Sequence, residues 1–379
     1  MYKLYNRYYT TLRNKGRYRV IPSINYLSSF IDFSTNDYLC FSKLNILCKE
    51  VSLFMKRYGI GSTGSRLISG NRRIFEKLEF QIAKDKKTES SLIFNSGFQA
   101  NISVLSSLLN RSVLKNVPIV FFDRLNHASL YQAVFLSKAR LIRYRHNDME
   151  HLNDLLKKYN NWTNSKFIVT ETVFGMDGDI LLIKEIFFLT KKYNAFLYLD
   201  EAHATGIIGD KGYGLSSMID LSEIPHLVLG TFSKAIGCFG AYIACSEVIK
   251  NYLINCCPGF IYSTSLPPML IGAVFKAWKL IKDLSDKRFI LHKKSNFLRE
   301  KLNYFGFNTG NSSTNIIPIF LNKNISVINV KNMLLQKKII VSAIRPPTVP
   351  PGSSRLRIAV NISHSDEQIN SLLEAIKVI

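Results

Sequence analysis

The stretch YLDEAHATGIIGDKGYG, residues 198–214, places a cluster of ionisable side chains directly after a short apolar run. The run 196–199 predicts a buried strand, and Asp200 begins the Asp-Glu-Ala-His cluster just beyond it. The apolar run 227–229 predicts a second buried strand and is followed by Lys234 among small residues. Polar groups just past the ends of two buried strands indicate a functional site between strand ends.

Length and composition indicate a globular protein. A chain of 379 residues with 47% hydrophobic side chains is long enough for two domains. No apolar run reaches the roughly 18 residues that span a bilayer, and the start lacks the apolar segment of a secretory signal. We therefore expect a cytoplasmic protein without membrane contact. The six cysteines have no metal-ligand spacing, so we expect reduced, mostly buried thiols and no metal site.

The net charge of the chain is strongly positive. Lys and Arg number 50 and Asp and Glu 27, which gives a formal charge of +23. This balance is typical of nucleic-acid-binding proteins. The cations are nevertheless spread along the whole chain instead of forming one stripe, which favours ordinary solvated surface charge and no nucleic-acid partner. A phosphorylated cofactor, coenzyme A or an acidic carrier protein would also suit a basic surface.

Short apolar runs alternate with helical patterns through the middle of the chain. Strands are predicted at 91–94, 118–123, 166–171, 195–200 and 227–231. Helices are predicted at 71–84, 98–109, 127–137, 149–159 and 183–193. Such alternation indicates an α/β fold whose parallel sheet is covered on both faces. Ligands of such sheets bind at the carboxyl ends of the strands, which is where the polar clusters of this sequence fall.

The pattern changes after about residue 270. A long helical stretch is followed by short strands at 315–320 and 354–360, which indicates a second, smaller α+β domain. We therefore expect three parts. They are an N-terminal segment at 1–45, a large cofactor-binding domain at 46–270 and a small C-terminal domain at 271–379.

The residue types at the strand ends predict a particular chemistry. The small neighbours of Lys234 leave room for a bulky group on its amine, which suits a Schiff base with a carbonyl cofactor. If that cofactor has a pyridine ring, an Asp is needed to keep the ring nitrogen protonated, and Asp200, with His203 close behind, is the candidate. Gly97 lies at a predicted strand-to-helix turn, where backbone N–H groups hold a phosphate. These features together predict a site for a carbonyl cofactor that carries a phosphate.

Several segments, in this order, resemble the α-oxoamine synthases, pyridoxal-phosphate enzymes of the aspartate-aminotransferase fold. They are FSTNDYL (33–39), GIGSTGSRLISGN (59–71), NSGFQAN (95–101), DRLNHASL (123–130), MDGDI (176–180), LDEAHATGIIGDKGYG (199–214) and TFSKAIG (231–237). The resemblance covers nearly the whole chain. It implies the pyridoxal-phosphate-dependent transferase fold of type I, with a large mainly parallel-sheet domain and a smaller C-terminal α+β domain. It also implies a homodimer.

The resemblance also implies roles for individual residues around the cofactor. Lys234 would carry the cofactor, Asp200 would pair with its ring nitrogen, and His127 would stack on the ring as a third catalytic residue. His203 would lie near the phenolic oxygen. Further cofactor contacts are implied at Gly97, Phe98, Thr231 and Gly175. The last of these departs from the family, which usually has a Ser at that position.

Substrate contacts are implied in the same way. Arg357 and Asn36 would meet the carboxylate of the amino acid, with His127 beside it. Arg13 and Thr348 match further substrate positions. The segment Ser263 to Thr264 would reach the phosphate from the partner chain.

Two loops point to one branch of the family. IRPPTVPPGSSRLRI (344–358) and YSTSLPP (262–268) are most similar to the branch that condenses L-alanine with a pimeloyl thioester of coenzyme A or acyl carrier protein. A sister enzyme that uses glycine with acetyl- or succinyl-coenzyme A is the alternative, and a long-chain serine acyltransferase is another. From a different class, a basic nucleic-acid-binding protein would explain the charge but not the Asp, His and Lys positions.

Overall fold

The computed structural model describes residues 1–21 and 30–378, so part of the predicted N-terminal segment lies outside the described residues. The chain divides into two compact units. The sheet unit comprises residues 37–174 and 180–286, and the small unit comprises residues 1–36, 175–179 and 287–379. The domain bounds expected from the sequence stay predictions.

The secondary structure follows the alternation seen in the sequence. The helices of the described residues are α1 (Tyr2–Asn14), α2 (Asn45–Tyr58), α3 (Arg73–Lys86), α4 (Gly97–Leu108), α5 (Arg111–Leu114), α6 (Ala128–Ser137), α7 (Met149–Lys158), α8 (Ile183–Lys192), α9 (Glu247–Cys256), α10 (Pro258–Ile261), α11 (Pro268–Ile281), α12 (Ser285–Tyr304), α13 (Asn324–Gln336) and α14 (Asp366–Ile376). The strands are β1 (Ile31–Asp32), β2 (Ser90–Phe94), β3 (Ile119–Asp123), β4 (Arg140–Tyr144), β5 (Lys166–Glu171), β6 (Phe196–Asp200), β7 (His226–Thr231), β8 (Ala241–Cys245), β9 (Ile316–Asn322), β10 (Ile339–Ile340), β11 (Ser342–Ile344) and β12 (Ser354–Ala359). Short 3₁₀ turns lie at Phe41–Lys43, Asp210–Gly212 and Leu215–Met218.

The sheet unit is built on a mainly parallel sheet. Its seven strands are ordered β2-β8-β7-β6-β5-β3-β4. The pairs from β7 through β6, β5 and β3 to β4 are parallel, whereas β8 is antiparallel to both its neighbours. The predicted α/β class is confirmed. The carboxyl ends of the parallel strands therefore meet at one edge of the sheet.

Both faces of the sheet are buried. Val120 and Phe122 of β3 belong to a core that includes residues of α4 and α6. Ile119 and Phe121 of the same strand belong to a second core with residues of α7 and α8. Successive side chains of a strand point to opposite faces, so a strand covered on both sides reads as one continuous apolar run.

Two strands of this sheet were missed by the sequence analysis. β4 is an edge strand that has an Arg at its first and fourth positions, so it does not read as an apolar run. β8 follows β7 through a tight connection without a helix, because antiparallel neighbours need no crossover. The alternation rule therefore finds the crossover strands and overlooks these two.

The expectation of mostly buried cysteines is wrong. Only Cys245 and Cys257 are buried, whereas Cys48 and Cys256 are exposed, and the remaining two are intermediate. The exposed pair lies on α2 and at the end of α9, on helix faces that meet solvent. Among the described residues all six are free thiols.

A buried ion pair lies just behind the Asp-Glu-Ala-His cluster. Lys86 Nζ bonds the carboxylate of Glu201, and neither side chain is exposed. The same amine donates to Tyr213 O at 2.7 Å and to Ser216 Oγ at 2.7 Å. Glu201 Oε1 in turn accepts from the backbone N–H of Ser216 at 2.7 Å. The partners of both charges come from the chain around residue 215, which fixes the segment after β6.

The small unit contains an antiparallel sheet of order β11-β12-β9 and the parallel pair β1 and β10.

A buried histidine lies in the small unit. His364 is 3% exposed and stacks on Phe33 with ring centroids 4.0 Å apart. Its Nδ1 accepts from Asn361 N at 3.0 Å, which leaves Nε2 to donate to Asp32 O at 3.1 Å. Burial lowers the pKa of His364 to about 4. No helix in the described part of the chain is long and apolar enough to cross a membrane.

Candidate active site

Asp200 is the last residue of β6 and is 4% exposed. Its Oδ1 accepts from Ala202 N at 2.9 Å, and its Oδ2 accepts from Asn101 Nδ2 at 2.7 Å. Asn101 lies on α4, one turn after Gly97, and its own oxygen accepts from Tyr198 OH at 2.9 Å. A carboxylate held by a backbone and a side-chain donor is fixed in direction and keeps further lone pairs for a cationic N–H.

Asn101 also connects Asp200 to His127. The Asn101 amide donates to Ser129 Oγ at 3.0 Å, and Ser129 Oγ lies 2.7 Å from His127 Nδ1. Because Nδ1 also accepts from the backbone N–H of Ser129 at 3.3 Å, Nδ1 is the acceptor and the ring proton belongs on Nε2. The hydrogen-bond chain Asp200, Asn101, Ser129, His127 thus sets the position of both predicted catalytic side chains.

His127 is the N-cap of α6 and remains partly accessible to solvent. Desolvation by the surrounding protein is the main cause that lowers its pKa. The charge of Asp200 opposes this lowering, and the charge of Lys234 adds to it. The three predicted catalytic residues of the sheet unit therefore lie close enough to act on one another, and His127 is neutral at pH 7.

Glu171 is a further buried carboxyl at this edge. It ends β5, pairs in register with Asp200 and is 6% exposed. Its Oε1 accepts from the backbone N–H of His127 at 2.6 Å. Burial, helped by the charge of Asp200, raises the pKa of Glu171 well above its usual range. A protonated Glu171 avoids two adjacent buried negative charges.

The start of α4 provides a site for an anion. Gly97 is the first residue of this helix, and Ser96 caps it by accepting from Gln99 N at 3.2 Å. In the described structure the backbone N–H groups of Gly97 and Phe98 have no hydrogen-bond partner, as is usual in a first helical turn. A Cβ on Gly97 would lie 3.6 Å from Thr231 Cβ, so these two predicted phosphate contacts are neighbours. Helix N-termini favour phosphate groups.

Lys234 follows β7 in a tight turn. Phe232 N donates to Gly240 O at 2.9 Å and Cys238 N donates to Phe232 O at 2.9 Å, which closes the turn around the lysine. Its ammonium charge also acts on the pKa of Glu171, where it opposes the raising effect of burial. Lys234 therefore lies among the predicted cofactor residues of this unit.

His203 is buried beside the same strand end. Its Nδ1 lies 2.8 Å from the hydroxyl of Tyr38. Phe98 lies edge-on to His127, with ring centroids 6.2 Å apart. The structure thus gathers the predicted cofactor residues of the sheet unit at one edge of the sheet.

In the small unit, the structure brings together three residues implied by the family resemblance. Arg357 on β12 is 3% exposed. Its Nε donates to Gly175 O at 2.5 Å and its Nη2 donates to Asn36 Oδ1 at 3.0 Å. Gly175 does not have a positive φ, in contrast to Gly178 with φ of 72°. A Ser at 175 would therefore meet no strain from a left-handed backbone.

Arg13 and Thr348 are not joined to each other by any hydrogen bond within the described residues. Arg13 is exposed on α1, and its guanidinium lies 4.7 Å from the ring centroid of Tyr18. Thr348 is exposed and its hydroxyl accepts from Arg19 Nη2 at 3.1 Å. Arg13 thus contacts Tyr18, and Thr348 contacts the next residue in the chain, Arg19.

Sequence reasoning missed several polar residues of the site. They are Tyr38, Asn101, Ser129, Glu171 and Tyr198. Asn101 and Glu171 stood inside stretches already read as a site segment and a strand end, so strand-end position was a usable signal. Tyr198 carried no such signal, because a tyrosine in an apolar strand reads as core.

The residues at this edge fit pyridoxal phosphate. Asp200 is a buried carboxylate with spare acceptor capacity, which suits a protonated ring nitrogen. The helix terminus at Gly97 offers unpartnered N–H groups to a phosphate. Lys234 supplies the amine that such a cofactor requires. The donor set therefore matches each polar end of the cofactor.

Comparisons with known proteins agree with this chemistry. The profile of the family described as aminotransferase class I and II matches residues 28–376. A relative from Paramagnetospirillum magneticum, which carries the provisional name 8-amino-7-oxononanoate synthase, is 42% identical over 98% of this chain and 96% of its own. The 8-amino-7-oxononanoate synthase of Gluconacetobacter diazotrophicus is 40% identical over 92% of this chain and 88% of its own.

Solved structures show the same likeness. Serine palmitoyltransferase of Sphingomonas wittichii is 26% identical with a TM-score of 0.90, covering 99% of this chain and 96% of its own. The 8-amino-7-oxononanoate synthase of Francisella tularensis is 29% identical with a TM-score of 0.79, covering 93% and 98%. The chain therefore belongs to the aminotransferase class I and II family, in its α-oxoamine synthase group of pyridoxal-phosphate-dependent acyltransferases.

Proposed function

We propose that this chain is an 8-amino-7-oxononanoate synthase, which condenses L-alanine with a pimeloyl thioester of coenzyme A or acyl carrier protein. The new carbon–carbon bond forms between Cα of alanine and the thioester carbonyl, and the thiol and carbon dioxide leave. Relatives that bear this name, at 40% identity or more, support the choice of substrates. The loop 344–358 supports the same branch.

The observation that carries the reaction type is the hydrogen-bond chain from Asp200 through Asn101 and Ser129 to His127. When bound, pyridoxal phosphate supplies an aldehyde for the amino group and a ring that accepts the electron pair released at Cα. Asp200 would keep the proton on the ring nitrogen, since its carboxylate is buried and oriented by Asn101. The neutral His127 would cover the ring and exclude water from Cα.

Lys234 would act as the base. Its Nζ would accept the proton that leaves Cα of the bound alanine. The resulting ammonium charge would lie near the carboxylate of Asp200, since both residues act on the pKa of His127. Arg357 and Asn36 would bind the alanine carboxylate, with the guanidinium held by Gly175 O.

The Ser263 to Thr264 segment keeps a proposed role at the phosphate. Gln99 Nε2 donates to Ser263 Oγ at 2.6 Å, and Asn95 Nδ2 donates to Thr264 O at 2.8 Å. These bonds hold the segment beside the start of α4 of its own chain, and its reach to the phosphate of the partner chain stays part of the proposal. We further propose that the protein is cytoplasmic and forms a homodimer, and light scattering of the purified protein would test the dimer.

Product analysis tests the substrate assignment. Purified enzyme loaded with pyridoxal phosphate is incubated with L-alanine and pimeloyl-coenzyme A, or with the carrier-protein thioester. We expect 8-amino-7-oxononanoate and carbon dioxide in equal amounts, detected by mass spectrometry. Turnover of glycine with acetyl-coenzyme A, without any pimeloyl turnover, would instead assign the sister activity.

Two variants test the residue roles. Lys234→Ala should lose the visible absorbance of the bound cofactor and all turnover, because no other amine is predicted to reach the aldehyde. Asp200→Asn should still bind cofactor but exchange the Cα proton of alanine far more slowly, since an unprotonated ring is a poor electron acceptor. An active Lys234→Ala enzyme would disprove the assignment.

Salt dependence separates the two donors. A basic surface that recruits an acidic carrier protein acts through exposed charges, which are screened beyond about 8 Å at ~0.15 M salt. The kcat/KM for the carrier thioester should therefore fall steeply with salt, and that for coenzyme A thioester less. Equal salt dependence would show that the carrier surface is not recognised.

A further inference from the structure

Part of the positive charge is concentrated in the small unit, in a group that we call the arginine cluster: Arg17, Arg19 and Arg345. Arg19 Nη2 donates to Thr348 Oγ1 at 3.1 Å, and Arg345 Nη2 donates to Tyr18 O at 3.1 Å. Burial lowers the pKa of Arg345, and the neighbouring charge of Arg19 lowers it further. Two like charges are therefore held close together.

No carboxylate of the described residues pairs with these three arginines. In the described structure none of the three guanidinium groups hydrogen-bonds or pairs with an acidic side chain. The sequence explains why, since no Asp or Glu precedes Asp32 and none occurs in the loop 344–358. A cluster of cations without an anion is a cost to the folded chain unless a ligand supplies the negative charge.

Arg17 of the cluster lines a cavity of about 370 Å³, and so does Pro346, the residue after Arg345. The charged lining of this cavity consists of Lys15, Arg17 and Lys323, without an acid. Its volume falls in the range of about 300–1,000 Å³ that is usual for small-molecule sites.

Two donors of the cluster are buried without an acceptor. The Nε atoms of Arg17 and Arg345 have no hydrogen-bond partner among the described residues. Buried polar atoms in native proteins are almost always hydrogen-bonded, so an orphan donor beside a cavity indicates a bound group. Planar guanidinium groups match phosphate oxygens in bidentate geometry, and several together suit a group with more than one negative charge.

We propose that the arginine cluster and its cavity bind the phosphate-bearing end of the acyl donor. This rests on the proposed function, which requires a thioester on a pantetheine arm. Coenzyme A and the carrier protein's prosthetic group both carry a phosphate on that arm, so the cluster recognises the chemistry that they share. Arg19 directly contacts Thr348, the residue that the sequence predicts as a substrate contact.

Calorimetric titration of the enzyme loaded with pyridoxal phosphate tests the inference. The probes are coenzyme A, 4'-phosphopantetheine and pantetheine, which lacks phosphate. The wild type should bind coenzyme A more tightly than pantetheine by about tenfold or more, as one charge-assisted hydrogen bond or better would give. Equal affinity for coenzyme A and 4'-phosphopantetheine would assign the site to the shared phosphate, and preference for coenzyme A to its additional phosphates.

Variants locate the site. Arg17→Gln and Arg345→Gln should each weaken the binding of coenzyme A by about tenfold and leave the dissociation constant for pantetheine unchanged. Arg17→Lys should retain part of the affinity for coenzyme A, because the charge is kept. The exposed Lys287→Gln is the control for loss of one charge in the same unit. Circular dichroism checks that each variant is folded.

Several outcomes would overturn the inference. The first is that pantetheine binds the wild type as tightly as coenzyme A does. The second is that the Arg17→Gln protein keeps the full preference for coenzyme A over pantetheine. The third is that Arg17→Gln weakens the binding of pimelate and leaves the binding of coenzyme A unchanged. If the wild type binds a short duplex DNA through Arg17 and Arg345, and coenzyme A does not displace that DNA, the cluster is a nucleic-acid site instead. Product formation by the wild type is measured separately, so failure of the proposed function and failure of this site give different results.

Discussion

Removing the Asn101 side chain should uncouple the two predicted catalytic residues that it connects. Its amide donates to Asp200 Oδ2 and Ser129 Oγ, and its oxygen accepts from Tyr198 OH. The bond to the carboxylate contributes about 1.5–3 kcal/mol, and each neutral bond contributes about 0.5–1.5 kcal/mol. Asn101→Ala should therefore lower the free energy of unfolding by about 2.5–6 kcal/mol.

The effect on turnover should be separate from the effect on stability. Asp200 would keep only its bond from Ala202 N, and the hydroxyl that fixes the His127 ring would lose its donor. Misplacement of such groups by about 1 Å costs on the order of a hundredfold in rate, so we expect kcat to fall by about ten- to a hundredfold. Urea unfolding of the cofactor-loaded protein and thiol release at saturating substrate measure the two effects.

Tyr198→Phe is the matched control. It removes one bond to the Asn101 oxygen and leaves both donors of the amide in place. We expect a loss of about 0.5–1.5 kcal/mol in stability and little change in kcat. The reasoning is refuted if Tyr198→Phe costs as much stability as Asn101→Ala, or if Asn101→Ala turns over at the wild-type rate.

Other residues give sharp expectations. The pKa of His364 is about 4 in the folded chain and about 6.5 in the unfolded chain. Between these two values the unfolded chain binds more protons than the folded chain. The free energy of unfolding should therefore fall by about 2 kcal/mol from pH 7.5 to pH 5.0. Urea unfolding of His364→Gln should show a shallower pH dependence than the exposed control His292→Gln, and equal slopes would contradict this. Lys86→Met leaves Glu201 charged and buried and should cost about 3–5 kcal/mol in urea unfolding, much of it recovered when Glu201→Gln is added; no recovery would place the cost in packing. Gly175→Ser should tighten pyridoxal-phosphate binding by no more than about tenfold, or 1.4 kcal/mol, in equilibrium dialysis, whereas weaker binding would mean that the added hydroxyl does not fit.

The sequence predicted the frame of the sheet unit because burial on both faces leaves a strong pattern. The strand 166–171 agrees with β5 residue for residue, and the other crossover strands agree within a residue or so. Strand ends also predicted that Asp200 and Lys234 belong to one site, since parallel strands finish at the same edge. Nothing comparable predicted β8, whose place between β2 and β7 depends on pairing rather than on composition.

The polar support of the site was harder to predict for a physical reason. The amide of Asn101 matters because one turn of α4 carries it to Asp200, which is 99 positions away in sequence. Such a contact depends on helix placement, and periodicity describes only one element at a time. The arginine cluster was hidden likewise, because its members come from both ends of the chain and each reads alone as a solvated cation.

The five residues 175–179 leave the sheet unit and return to it within one connection. In the small unit Gly175 O accepts from Arg357, Asp177 pairs with Arg355, and Gly178 O accepts from Thr314 Oγ1 at 2.9 Å. The small unit is thus assembled from three separate stretches of polypeptide. A gene fragment encoding only residues 287–379 would express β10 without β1 and these arginines without their partners. The small unit therefore cannot be produced by a simple truncation. For the same reason, a single crossover between related genes cannot exchange it.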